Sequence, residues 1–86
     1  MANYLHYKCK VRPENFIQVK LSTKANIKLL DTLNFYKYQS GKPYDVTSEH
    51  LDLALVEIKV PFKSTWHVII EHSYYDGPIR ANVKVI

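Results

Sequence analysis

The sequence predicts an all-β fold: a compact antiparallel β-sandwich, jelly-roll-like, of about six to eight strands, with one short helical turn near residues 32–39. Three observations carry that expectation. Apolar and polar residues alternate in run after run, the period-two pattern of a strand with one buried face. Turn residues separate the runs at short spacing, and only one stretch lacks alternation in favour of helical spacing. The chain of 86 residues is 47% hydrophobic and has a single cysteine, so one domain, residues 1–86, must hold together through its core without an internal disulfide.

The runs follow in order. Leu5, Tyr7, Cys9 and Val11 alternate with His6, Lys8 and Lys10 until Arg12-Pro13-Glu14-Asn15 breaks the pattern. Ile17, Val19 and Leu21 form the next run, and Ser22-Thr23-Lys24 turns the chain into Ala25, Ile27 and Leu29. In Asn34-Phe35-Tyr36-Lys37-Tyr38, Phe35 and Tyr38 are three apart, so one helical turn puts both rings on one side. Ser40-Gly41-Lys42-Pro43 ends that turn. Residues 44–52 are polar and carry no clear pattern. Ala54, Val56, Ile58 and Val60 then alternate with Leu55, Glu57 and Lys59 up to Pro61, which cannot continue a ladder. Last come two runs around Gly77-Pro78: Trp66, Val68 and Ile70, then Ile79, Ala81, Val83 and Val85, written as a β-hairpin. Val19, Ile27, Ile58, Trp66, Val68, Ile70, Ala81 and Val83 are expected to share one core, with Cys9 as a small buried hydrophobe.

The order and spacing of several pieces are similar to one family. Tyr4-Leu5-His6-Tyr7, Val19-Lys20-Leu21-Ser22, Ala25 to Asp31, Asn34-Phe35 with Tyr38 and Gly41, Val60-Pro61 before Trp66-His67-Val68, and the alternation from Gly77 to Val85 run in sequence from Tyr4 to Ile86. The chain resembles the small bacterial family catalogued as domain of unknown function eighteen-eighty-three. That resemblance implies a compact β-sandwich found alone or fused to TIR signalling domains, and hence a role accessory to TIR-type signalling through a partner. The segment Tyr44 to Asp52 departs most from the family, which is rich there in Arg, Tyr and Gly.

Charge and composition narrow the function. Twelve Lys and Arg against eight Asp and Glu give a net +4, but the positive residues are scattered along the chain. Scattered lysines on wet strand faces keep a β protein soluble and argue against nucleic acid as the partner. No apolar run nears the ~20 residues that cross a bilayer, and residues 1–6 lack the features of a signal peptide. With one cysteine, a cytoplasmic setting is expected and no membrane.

The groups that do chemistry are sparse. Of the histidines His6, His50, His67 and His72, His67 shares a strand face with Glu71, but the two stand roughly 13 Å apart at ~3.3 Å per residue. Only folding could bring His6 or His50 alongside. No metal site and no cofactor is expected. Ser48-Glu49-His50 matches no nucleophile elbow or triad signature, and Gly41 and Gly77 alone cannot build a phosphate-cradling loop. The chain is expected not to be an enzyme and to have no catalytic residues.

The tyrosines are the distinctive feature. Tyr36, Tyr38, Tyr44, Tyr74 and Tyr75 fall in predicted loops and turns, with Lys37 and Lys42 among the first three. Tyrosine offers a broad apolar ring with a polar tip, so these seven residues are the candidate binding surface. The competing reading is that Phe35, Tyr38 and one or two others cap the ends of the core. The expected function is a noncatalytic binding or assembly module whose partner is a protein, including a second copy of itself. The alternative is a small-molecule or glycan ligand, or single-stranded nucleic acid, stacked on the tyrosine rings.

Overall fold

The computed structural model describes residues 4–72 and 78–86. The elements follow as β1 (Tyr4–Val11), β2 (Phe16–Asp31), α1 (Thr32–Gln39), β3 (Ser48–Lys59), β4 (Ser64–Glu71) and β5 (Ala81–Val85). Every strand pair is antiparallel, and hydrogen bonding joins all five strands into one sheet in the order β1-β4-β2-β3, with β5 also on β2.

Among the described residues there are thus five strands rather than six to eight, and they form one hydrogen-bonded sheet. The difference has a local cause. The runs around Ile17–Leu21 and Ala25–Leu29 are halves of a single 16-residue strand, β2. Ser22, Thr23 and Lys24 do not reverse the chain but fall in the register shift between Lys20 and Ala25 against β3. A second shift follows between Ala25 and Ile27, where Asp52 of β3 takes a left-handed backbone (φ 57) and donates its N–H to Asn26 Oδ1 at 3.0 Å.

The expected final hairpin is also corrected. β4 and β5 do not pair with each other but occupy one edge of β2, opposite β3. β4 runs along Asn26–Asp31 and β5 along Ile17–Leu21. A strand as long as β2 has edge enough for both. Residues 73–77, which carry the predicted turn, lie outside the described residues.

Inward-facing side chains from all five strands meet in one core. Ile17, Val19, Ala25, Ile27, Leu29, Ile58, Val60, Trp66, Val68 and Ile70 are buried there with Val11, and Leu5, Tyr7, Cys9, Ala81 and Val83 pack against them half-buried. The eight expected core residues all belong to this cluster. Trp66 anchors it, with its indole N–H donating to the Phe62 carbonyl at 3.1 Å. Burial pushes the Cys9 thiol above its usual pKa, which disfavours the reactive thiolate.

A second, smaller core lies on the outer face. Leu30, Phe35 and Ile69 are buried together, with Tyr4, Tyr38, Tyr44 and Val46 packed on them. It forms because α1 lies back over β2 and β4. Asp31 caps α1 by accepting the Asn34 N–H at 2.8 Å. At the other end Gly41 takes φ 72, its N–H reaches Tyr38 O at 3.2 Å, and the Lys42 N–H reaches Lys37 O at 2.9 Å. This paired bonding around a left-handed glycine is a Schellman motif. Asn34 then holds the returning loop by accepting the Asp45 N–H at 2.9 Å. The helical turn expected near residues 32–39 is α1, with Phe35 and Tyr38 on the inward side. Among the described residues no helix is long and apolar enough to cross a membrane.

Candidate functional site

The outer face over β4 and the second half of β2 gathers most of the polar chemistry. Lys28 points outward from β2 and Glu71 from β4, and their side chains meet at 2.8 Å. Lys28 also donates to the Tyr44 hydroxyl at 3.0 Å, and the Tyr38 hydroxyl donates to Glu71 Oε2. The ammonium lies 5.6 Å from the ring centres of both Tyr38 and Tyr44. The Tyr38 ring meets Tyr44 and Tyr4 edge-on, at 5.1 and 5.2 Å. Burial alone would lower the Lys28 pKa, but its bonds to Glu71 and Tyr44 outweigh that and raise it. Burial would likewise raise Glu71, yet the bonds from Lys28 and Tyr38 hold it below the usual carboxylate range. Burial and the adjacent Glu71 carboxylate push the Tyr38 hydroxyl well up, so it stays a donor.

Beside this network stand two histidines that folding brings together. The β1–β4 register sets His6 opposite Ile69 and Lys8 opposite His67, so the two imidazoles are diagonal neighbours on the outer face. His6 Nε2 and His67 Nδ1 share a hydrogen bond of 2.8 Å, and His67 Nε2 meets Thr32 Oγ1 at 2.9 Å. The rings are nearly coplanar, 12° apart, and Phe35 covers both in parallel, with ring centres 4.0 Å from His6 and 4.6 Å from His67. His67 is only 3% exposed, whereas His6 opens to solvent at the rim. One proton sits between the two rings. Burial and the nearby Lys8 charge lower the pKa of His6. Burial, His6 and Lys8 lower that of His67, against a smaller opposing pull from Asp31. The pair therefore resists becoming cationic.

The candidate tyrosines divide. Tyr38 and Tyr44 are brought together, but their rings and hydroxyls are held by neighbours inside the fold. Lys37 is half-buried, Lys42 is exposed, and Tyr36 stands apart from the network at 59% exposure. Tyr74 and Tyr75 lie outside the described residues.

Two further features were not singled out from sequence. On β3, which has β2 on one side only among the described strands, Leu51, Leu53 and Leu55 stand 60%, 38% and 58% exposed. Their outward phase was readable from the alternation with Ala54 and Val56. Three leucines in that phase were the missed signal. The other is a cavity between the end of β1 and the start of β4, lined by Lys10, Arg12 and Lys63. Ser48 and His50 share the inward face of β3, where Ser48 Oγ and His50 Nε2 are buried without a partner among the described residues. Among the described residues no three His, Cys, Asp or Glu side chains gather as a metal site would require.

Among the described residues these features define a small antiparallel β domain, with one covering helix and the outer edge of β3 left open. The chain belongs to the family described as a domain of unknown function (DUF1883), whose sequence model matches residues 2–86. No curated protein and no solved structure matches it.

Proposed function

We propose that this domain is a noncatalytic assembly module that joins a second copy of itself through the open edge of β3. The row of exposed Leu51, Leu53 and Leu55 on that strand carries the reading. An apolar edge strand with unpaired backbone groups is a template for strand addition, and natural β proteins otherwise blunt such edges. The charges along β3 select the occupant. In an antiparallel pairing of two copies centred on Ala54, Leu53 of one copy faces Leu55 of the other. Glu49 and Lys59 stand equally far either side of Ala54, so with the irregularity at Asp52 between them the two ends still bring opposite charges toward one another rather than like charges. The chain's own sequence supplies its complement.

The tyrosine surface gives less support to a glycan or single-stranded nucleic acid, because Tyr38 and Tyr44 are engaged in packing. The family resemblance to domains fused to TIR modules supports a place in a cytoplasmic signalling assembly, where self-association would cluster partners.

Sedimentation equilibrium over a range of concentrations tests the proposal. The native chain should form a dimer, and Leu53→Lys combined with Leu55→Lys should make it monomeric without lowering the melting temperature of the dilute protein. A native chain that stays monomeric at high micromolar concentration overturns the reading.

A further inference from the structure

The cavity at the junction of β1 and β4 has a volume of about 400 Å³ and is lined by Lys10, Val11, Arg12, Lys63, Ser64 and Thr65. Register explains why these residues converge. Lys10 pairs with Thr65 and Val11 with Ser64, so Arg12 and Lys63 follow at the same end of the strand pair. The lining offers three cations and two hydroxyls but no carboxylate. Among the described residues neither ion pair involves Lys10, Arg12 or Lys63, and all three are exposed. Three like charges around one opening repel one another, and an anion bound among them removes that repulsion.

The donors match a phosphoryl group. A guanidinium presents a planar fork to two oxygens, ammonium groups supply point charges, and hydroxyls donate to the rest. Pockets for small organic ligands span roughly 300–1,000 Å³, a range that includes this one, and a bare phosphate would leave most of it unfilled. Val11 adds an apolar wall. We propose that this cavity binds a phosphorylated small molecule, with Arg12, Lys10 and Lys63 holding the phosphoryl oxygens and Ser64 and Thr65 donating to them. A nucleic-acid strand, which needs rings to stack successive bases along a basic groove, fits less well: Lys8 follows Lys10 on the outward face of β1, but no aromatic ring lines the cavity.

Amide chemical shifts of the full chain provide the test, with inorganic phosphate, adenosine monophosphate and uncharged adenosine as probes. Phosphate and the monophosphate should shift Val11, Arg12, Ser64 and Thr65 selectively, the monophosphate binding more tightly, and adenosine should do nothing. Arg12→Gln and Lys63→Gln should each weaken monophosphate binding about tenfold, as loss of a charge-assisted bond does. Lys20→Gln and Lys84→Gln, both exposed and outside the lining, should leave it unchanged. Ser64→Ala gives a second arm with no change of charge and should also weaken binding. The proposal fails if millimolar phosphate and monophosphate produce no localised shifts, or if any lysine substitution weakens binding equally. It also fails if an oligothymidylate binds more tightly than the monophosphate and shifts lysines across the whole surface.

Discussion

The two halves of β2 share one core on their inner side and differ on the other. Along Asn26–Asp31 the outer side is covered, because α1 and the loop after it lie over Leu30 and Lys28, and β4 contributes Ile69 and His67 from beside them. Along Phe16–Leu21 the outer side is open, and Phe16 and Lys20 meet solvent. The same backbone and the same alternation therefore give two different environments. Lys20 and Lys28 make the contrast plain. Both are lysines pointing outward from one strand, yet Lys20 is solvated while the Lys28 side chain is 13% exposed and bonded to Glu71 and Tyr44. What decides the outcome is whether a later segment returns to cover the face, and α1 returns over only one half.

The largest effect should come from the core the halves share. Trp66→Ala removes a fully buried ring touching the inner side and should cost about 3–5 kcal/mol. That is enough to unfold a small domain, as a chemical denaturation curve at neutral pH would show. A variant that unfolds at the parent's midpoint would mean that the inner face is not one cooperative core.

The comparison itself is tested by making one substitution in both halves. Lys28→Met deprives Glu71 and Tyr44 of their partner and should destabilise by about 2 kcal/mol, the worth of a hydrogen bond to a charged group that is partly buried. Lys20→Met on the open half should stay within about 0.5 kcal/mol, as solvated positions do. Equal losses at the two positions would show that the outer cover adds no stability.

A smaller effect is expected where the cover is tied off. Gly41 adopts φ 72 with open space where a Cβ would go, so Gly41→Ala meets no clash and bears only the backbone cost. Thermal denaturation should show a loss of about 1 kcal/mol. Gly41→Asn should lose less, because asparagine tolerates the left-handed region better. An asparagine variant no better than alanine would mean that the conformation of the helix end does not set the cost.

The same contrast explains how much of the fold was legible. The inner face was readable from alternation, which reports burial on one side, except at the start of β3, where Ser48 and His50 face inward from a polar stretch without a clear pattern. The outer core was legible only in part. Phe35 and Tyr38 announced a helical face, but alternation cannot say what that face lies on. The signal was in β4: Trp66-His67-Val68-Ile69-Ile70 is unbroken in burial, as strands covered on both sides are. Alternation sets His67 on the face of Glu71, opposite Trp66 and Val68, which hid its burial and its pairing with His6, and nothing local joins residues 61 apart in sequence. The merging of two runs into β2 was hidden as well. Ser22-Thr23-Lys24 has the composition of a turn, yet it is held extended from outside, by the Ser22–Arg80 backbone bond of 2.9 Å and the Arg80 N–H donated to Ser22 Oγ at 2.8 Å.

The smallest effect concerns pH, and it also separates the halves, because only the covered one contains the imidazole pair. His6 and His67 both have pKa values below the ordinary 6.5, the first through burial and Lys8, the second through burial, His6 and Lys8. An unfolded chain regains the ordinary value, so just below pH 6.5 it binds more protons than the folded one. Stability must then rise with pH across that window: the contribution is fully present above about pH 6.5 and is lost as pH falls toward the lowered folded values. Glu71 cannot produce this trend. Its pKa is lowered, so its contribution persists until the pH falls below the ordinary carboxylate value. Denaturation midpoints at about pH 7.5 and 5.5 should therefore show the native chain less stable at the lower value. His6→Gln combined with His67→Gln should flatten that difference, since glutamine does not titrate there. A native chain that is equally stable at both values, or more stable in acid, would mean that the Phe35-covered pair readily accepts a second proton.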